Sequence, residues 1–140
     1  MTGSWAPGDE LPDLVRTLTL VDLVAYAGAT WDWNRLHYDG VEIAERGLPG
    51  PVVDGQMFGA LLAEQVQDHV GPSCRIRRMG FRYNAMVFAG ETVTVHGEVE
   101  SVSHDGVVRV AQHIATDVAG PDGGPKVAVT GAWCEFEVLP

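Results

Sequence analysis

One stretch in the middle of the chain leaves little freedom to the rest. Residues 55–70 read Gly-Gln-Met-Phe-Gly-Ala-Leu-Leu-Ala-Glu-Gln-Val-Gln-Asp-His-Val, between Asp54 and Gly71-Pro72. Asp is a strong helix N-cap, and Gly-Pro stops a helix. Met57, Phe58, Ala60, Leu61, Leu62, Ala63 and Val66 cover most of its circumference. A helix apolar nearly all round is expected to be buried, and this one would be about 24 Å long. A chain of 140 residues hides such a rod only by wrapping other elements around it. Gly59, Ala60 and Ala63 offer the close approach that a wrapping sheet needs.

The residues after the helix supply the wrapping. Residues 74–88, 91–103, 107–118 and 126–138 read as strands, separated by hairpin turns at Gly90, Asp105-Gly106 and Pro121-Asp-Gly-Gly124. Thr92-Val-Thr-Val-His96 and Val107-Val-Arg-Val110 show the β-branched alternation of an antiparallel sheet with one wet face. Ahead of the helix, residues 1–13 are rich in Gly and Pro and are expected to form a flexible segment, with Trp5 tucked against the domain. Residues 16–20 alternate as a first strand, 22–29 repeat at helical spacing, and 41–46 make a turn or two of helix closed by Gly47. Pro49 and Pro51 hold residues 48–53 extended. There is no internal repeat and no linker, so the expectation is one α+β domain over residues 14–140.

Composition narrows the function classes. Hydrophobic residues make up 46% and charged residues 20%, ordinary for a globular domain. No apolar run approaches membrane-spanning length, and no basic-then-apolar leader opens the chain, so a cytoplasmic protein is expected. Cys74 and Cys134 stand far apart in no metal spacing and read as reduced core thiols. A net charge of −10 argues against nucleic acid and anionic membranes as partners. The motifs G-x-S-x-G, P-loop and G-x-G-x-x-G do not occur, which leaves serine hydrolases, nucleotidases and dinucleotide enzymes without support.

Chemistry concentrates upstream of the helix, where residues 32–39 read Asp-Trp-Asn-Arg-Leu-His-Tyr-Asp. Asp32 and His37 would lie about 140° apart on an α-helix and on opposite faces of a strand. Only bent backbone brings them together, and Asn34 between them tolerates unusual dihedrals and bonds local backbone. A carboxylate and an imidazole joined by a loop make a water-activating pair. Without context, the same residues are a capping Asp and a His held for structure.

The run Tyr26…Asp32-x-Asn34-x-x-His37-x-Asp39 resembles the signature of MaoC-like hydratases and dehydratases, the (R)-specific enoyl-CoA hydratase group. The likeness continues through Asp54-Gly55, through Phe81-Arg82-Tyr83 and Gly90-Glu91-Thr92-Val93, and to the terminal Pro140. The pattern is most similar to small actinobacterial members, among them subunits of steroid side-chain enoyl-CoA hydratases. This resemblance implies a hotdog fold, an antiparallel sheet around the long helix, dimerising so that pockets form between protomers. It implies that Asp32 and His37 hold a water that attacks C3 of a trans-2-enoyl thioester, with Asn34 orienting the loop or the water. Gly55 N–H, at a helix N-terminus, is the implied donor to the enolate oxygen. Three positions depart from the family pattern: Trp31 stands for Gly, Arg35 for Pro, and Asp54 for the His that starts the helix. A carboxylate beside a developing oxyanion opposes catalysis unless it points away, so Asp54 is expected to turn aside as an N-cap.

The implied substrate is an acyl-CoA or acyl-carrier-protein thioester, and both carriers are anionic. Arg75, Arg77, Arg78 and Arg82 are four of nine basic residues and make either a phosphate-binding patch or a solvated strand face. Arg77 and Arg82 are the candidates for substrate binding, with Asp54. The implied protein partner is a second copy or a second MaoC-like chain, and no cofactor or metal is expected. A metal site from His37, Asp39 and Glu42 lacks the usual ligand set, and His69, His96, His104 and His113 carry no assigned chemistry. A hotdog thioesterase, a catalytic half of a heteromeric hydratase and a non-catalytic binding subunit are the alternatives.

Overall fold

The computed structural model describes residues 4–139. The chain runs β1 (Glu10–Thr17), α1 (Leu20–Thr30), a single 3-10 turn (Arg35–His37), α2 (Gly40–Glu45), α3 (Gly55–Val70), β2 (Cys74–Tyr83), β3 (Thr92–Val102), β4 (Val108–Ala119) and β5 (Pro125–Val138). Residues 1–3 of the expected flexible segment, and Pro140, lie outside the described residues.

The central helix starts and stops on its caps. Asp54 Oδ1 accepts the Gln56 N–H at 2.9 Å, and Gly71, at φ 90°, turns the chain out while its N–H reaches back to the Gln67 carbonyl. Met57, Phe58, Leu61, Leu62, Gln65 and Val66 are buried, paired neighbours recurring every four residues, so one broad stripe faces the sheet. Burial all round does not occur: Ala60 is exposed. A methyl group forfeits little by facing water, and the sheet covers one side only. Gly59 is where the approach is tight, since a Cβ there would lie 2.9 Å from the Phe81 ring on β2.

The sheet is antiparallel, in the order β1-β3-β4-β5-β2. Its inner face is a carpet of buried residues, among them Val93, Val95, Val99, Val108, Val110, Ile114, Val129, Cys134 and Phe136. α3 packs on β1, β2, β3 and β5, which gives the hotdog arrangement of a sheet wrapped around one helix. Toward the C-terminal end of α3, Trp5 meets Phe136 and His69 edge-on, each with ring centroids 5.4 Å apart. Burial pushes the thiols of Cys74 and Cys134 upward, and both cysteines are free. No helix among the described residues is long and apolar enough to cross a membrane.

Two expectations about the strands are corrected. The first strand lies at Glu10–Thr17 and not at 16–20. Thr19 instead caps α1, its hydroxyl accepting the Asp22 N–H while the Asp22 carboxylate accepts the Thr19 N–H. That reciprocal capping box outweighs the short polar–apolar alternation. Second, Gly90 does not join two hairpin partners. β2 ends at Tyr83 and pairs only with β5 at the far edge, whereas β3 pairs with β1 and β4. The connection between β2 and β3 crosses the helix start, where the Val53 N–H donates to the Val87 carbonyl.

A buried polar pair ties helix to sheet. Gln65 Nε2 donates to the carbonyls of Pro12 and Val95 at 3.0 and 2.9 Å. Gln112 Nε2 donates to the Leu62 carbonyl and to Gln65 Oε1. Removing one member leaves buried acceptors unpaired. Gln65→Leu is therefore expected to lower stability by about 1–3 kcal/mol. Urea unfolding measures the loss, and hydrogen exchange should show β1, which Gln65 holds through Pro12, opening first.

Candidate active site

The chain leaves α1 at Trp31, one residue before Asp32. Trp31 is the only described non-glycine residue with positive φ, at φ 59° and ψ 28°, the left-handed conformation that often ends helices and favours glycine. It closes α1 and swings the chain aside, with its own ring 80% exposed and set edge-on against Trp33. Asn34, the expected bending residue, has ordinary extended dihedrals, φ −62° and ψ 121°. It acts as a cap: its Oδ1 accepts the Leu36 N–H, and its own N–H donates to Asp32 Oδ1 at 3.2 Å. Arg35 then occupies the first position of the 3-10 turn, where proline is equally at home because that N–H has no partner within the turn.

His37 closes the turn with 9% of its surface exposed. Its Nδ1 lies 2.7 Å from the Val52 carbonyl. A carbonyl only accepts, so Nδ1 carries the proton and Nε2 of the neutral ring is left as an acceptor. One ligand-type atom each from Asp32, His37 and Asp54 lie within 4.8 Å of one another. Asp32 is exposed and the other two are buried. Asp54 thus caps α3 as expected, yet it does not turn away from the pair. One carboxylate bonds the Gln56 N–H and still sits among the site residues. Where the family pattern has an imidazole, which both donates and accepts, this site holds a second carboxylate.

Gly55 opens α3 beside this cluster. A Cβ at Gly55 would fall 2.6 Å from the Tyr83 ring, so any side chain there would have to push aside the ring that arrives from β2. Tyr83 is 61% exposed and meets Phe81 edge-on. Tyr26 of α1 completes the surroundings. Burial, then the Asp54 charge and Tyr83, push its hydroxyl above the ordinary tyrosine range. The sequence reading assigned no role to Tyr26 or Tyr83, although both lie in the runs that carry the family resemblance.

The remaining candidates lie elsewhere. Arg75 and Arg77 approach Glu137 of β5 at 3.4 Å, and Arg78 meets Glu135 through Nε and Nη2 at 2.9 and 2.8 Å. Arg77 borders an open surface hollow with Ser101, Ser103 and Arg109, while Arg82 has no ion pair among the described residues and stands next to Tyr83. His37, Asp39 and Glu42 do not gather: Asp39 caps α2 and pairs with Arg35, which holds its carboxyl below the usual range, and Glu42 pairs with Arg35 and Arg46. The donor set that does gather, one imidazole nitrogen and two carboxylate oxygens from Asp32, His37 and Asp54, is one that divalent cations also accept.

Known proteins resemble this chain along most of its length. The profile of the family described as MaoC like domain matches residues 6–119. A 3-oxo-4,17-pregnadiene-20-carboxyl-CoA hydratase beta subunit of Mycobacterium tuberculosis is 32% identical over 103 residues, covering 74% of this chain and 79% of its own length. Among solved structures, the ChsH1-ChsH2 complex from Mycobacterium tuberculosis contains a chain with TM-score 0.80 and 29% identity, each chain covered to 99%. An (R)-hydratase from A. caviae involved in PHA biosynthesis has TM-score 0.84 and 23% identity over 98% of both chains.

The turn at Trp31 yields a test that needs no substrate. Trp31→Gly should leave the thermal midpoint nearly unchanged, because relief of the left-handed strain offsets the extra freedom of the unfolded chain. Trp31→Ile, β-branched at positive φ, should lower stability by at least about 1 kcal/mol. Equal midpoints for the two variants, read by circular dichroism, would refute the strained turn.

Proposed function

The chain belongs to the MaoC-like domain family, and we propose that it catalyses (R)-specific hydration of trans-2-enoyl thioesters, or the reverse dehydration of 3-hydroxyacyl thioesters. The observation that carries this reading is the convergence of Asp32 and His37 beside the N-terminus of α3. With Nδ1–H committed to Val52, His37 presents Nε2 to a water shared with Asp32. The pair removes a proton from that water as its oxygen bonds to C3, and a proton is delivered to C2 from the same pair. Negative charge gathers on the thioester oxygen during the attack. The Gly55 N–H, at the head of a sixteen-residue helix and without a partner among the described residues, is a donor placed for that charge. Asn34 holds the loop by bonding Asp32 through its backbone. Asp54, beside the pair, would contact substrate there, with Tyr26 and Tyr83 close by.

The name of the M. tuberculosis subunit, a pregnadiene carboxyl-CoA hydratase, taken with its 32% identity, supports a coenzyme-A thioester with a bulky acyl group as substrate. The same relatives support work alongside a second MaoC-like chain, since one is a beta subunit and another is part of a complex. A non-catalytic subunit is the second reading, and the intact Asp32–His37 pair speaks against it. Of the basic residues, Arg82 is the better candidate for a phosphate of the carrier, because Arg77 already shares Glu137 with Arg75.

The test follows the enoyl-thioester absorbance across a panel of acyl-CoAs that includes the pregnadiene carboxyl thioester, with the partner chain present. Asp32→Asn and His37→Ala should each lower kcat at least about 10²-fold, the lower range for acid–base groups. The double variant should lose little more, since residues acting as a unit are strongly non-additive. Thermal midpoints should move slightly. Wild-type turnover in folded Asp32→Asn protein would sink the assignment. Activity abolished by EDTA and restored by zinc would give Asp32, His37 and Asp54 to a cation instead.

A further inference from the structure

The face of the sheet turned away from α3 carries a cross-strand pair of histidines. His96 of β3 stands opposite His113 of β4 in the antiparallel register, so both side chains leave the same face. Their rings stack, with centroids 4.7 Å apart and planes 25° from parallel. Behind them, His96 Nδ1 lies 2.8 Å from Asp13 Oδ1. An ionised carboxylate only accepts, so Nδ1 carries the proton and Nε2 of the neutral ring keeps its lone pair. A carboxylate behind a histidine is how metal sites orient an imidazole ligand and raise its basicity.

Asp13 reaches His96 because β1 bulges. The register slips between Leu11 and Leu14, and Pro12 has no N–H to offer a ladder. The Pro12 carbonyl is tied inward to Gln65 of α3 at 3.0 Å, while the Asp13 side chain crosses to the outer face. The carboxylate is thus held by a bulge that the core itself pins.

The surrounding hollow is acidic. Glu10, Asp13, His96, Glu98 and His113 all line it, and no lysine or arginine does. Glu10 and Glu98 are direct partners in the register of β1 and β3, and both are exposed. Like charges directly opposite on a sheet repel, and a bound cation removes that cost.

We propose that this hollow is a site for a divalent ion of the zinc class, with His96 and His113 as nitrogen ligands, Glu98 as an oxygen ligand and Asp13 as the residue that positions His96. Glu98 follows His96 by two positions and so shares its face. Imidazole nitrogens favour such ions over calcium and magnesium, which prefer oxygen. The ligand atoms are spread more widely than those of Asp32, His37 and Asp54, so the ion draws in side chains that turn freely at a sheet surface. No residue of the candidate active site takes part, and the inference stands whether or not the chain is a hydratase.

Zinc chloride titrated calorimetrically into the full chain, first stripped with EDTA and dialysed, tests it. A saturable event is expected that persists in His37→Ala, where the other cluster has lost its imidazole. His113→Gln should weaken that event at least about tenfold. Asp13→Asn should weaken it about 10- to 100-fold, the usual loss when the group behind a ligand is changed. Zinc should also raise the thermal midpoint of the native chain, and the rise should vanish in His113→Gln. Should that variant fail to fold by circular dichroism, His96→Gln carries the same test. Zinc affinity unchanged in the folded histidine variant overturns the proposal, as does a titration with no heat and no shift of midpoint. Binding lost in His37→Ala overturns it by giving the ion to Asp32 and Asp54. Calcium held as tightly as zinc also overturns it, by leaving the histidines without a role.

Discussion

Val52 uses both of its backbone groups to hold the candidate site together. Its N–H donates to the Leu36 carbonyl at 3.0 Å, and its carbonyl receives the His37 Nδ1 proton at 2.7 Å. The two bonds bind the loop after α1 to the segment that leads into α3. Its neighbour Val53 is bonded to Val87 on the connection between β2 and β3, so three segments distant in sequence meet within two residues. Everything downstream follows from that knot. Asp54 must come next, its carboxylate divided between capping α3 and facing Asp32 and His37. Gly55 follows, and its lack of a side chain is what lets the Tyr83 ring lie over the helix start.

The parts of this architecture that local chemistry dictates were legible in the sequence. α3 has the predicted bounds because Asp54 and Gly71 are caps whichever sheet covers the helix. β3, β4 and β5 follow the β-branched alternation to within a residue or two. The placement of β2 was not legible, since nothing in residues 74–83 says that their partner is β5 and not β3. The strand read at 16–20 failed because a short alternation competes poorly with a capping box whose two halves, Thr19 and Asp22, satisfy each other. At the site, the spacing of Asp32 and His37 said only that they meet if the backbone bends, and the family resemblance supplied the rest. The left-handed turn at Trp31 was hinted at only by the glycine that the family has there, because tryptophan by itself gives no sign of it. The Tyr83–Gly55 contact spans strands and helix and is invisible to any local pattern.

Electrostatically the molecule is divided. Acidic residues prevail across the chain, yet guanidiniums are concentrated on one strand, interleaved with β5 carboxylates and, through Arg109, stacked 4.1 Å over the Trp133 ring. Gly80 lies opposite Trp133 in the register of β2 and β5, and a Cβ there would come within 3.0 Å of the indole. An anion approaching such a surface meets mostly acidic residues, and on β2 the arginine without an ion pair among the described residues is Arg82, next to Tyr83. Charge on this protein therefore has direction as well as sign.

The order of elements along the chain also sets a schedule for its synthesis. The apolar stripe of α3 is complete at Val70, but β5, the strand that joins the two halves of the sheet, ends only at Val138. At ribosomal speeds the helix waits several seconds for its cover. β1 waits as well, since its sole strand partner is β3, with Glu10 paired to Glu98. During that interval Met57, Phe58, Leu61 and Leu62 are a sticky surface on a tethered, unfinished chain. The apolar stripe of the central helix is therefore the surface most open to wrong contacts before the last strand emerges.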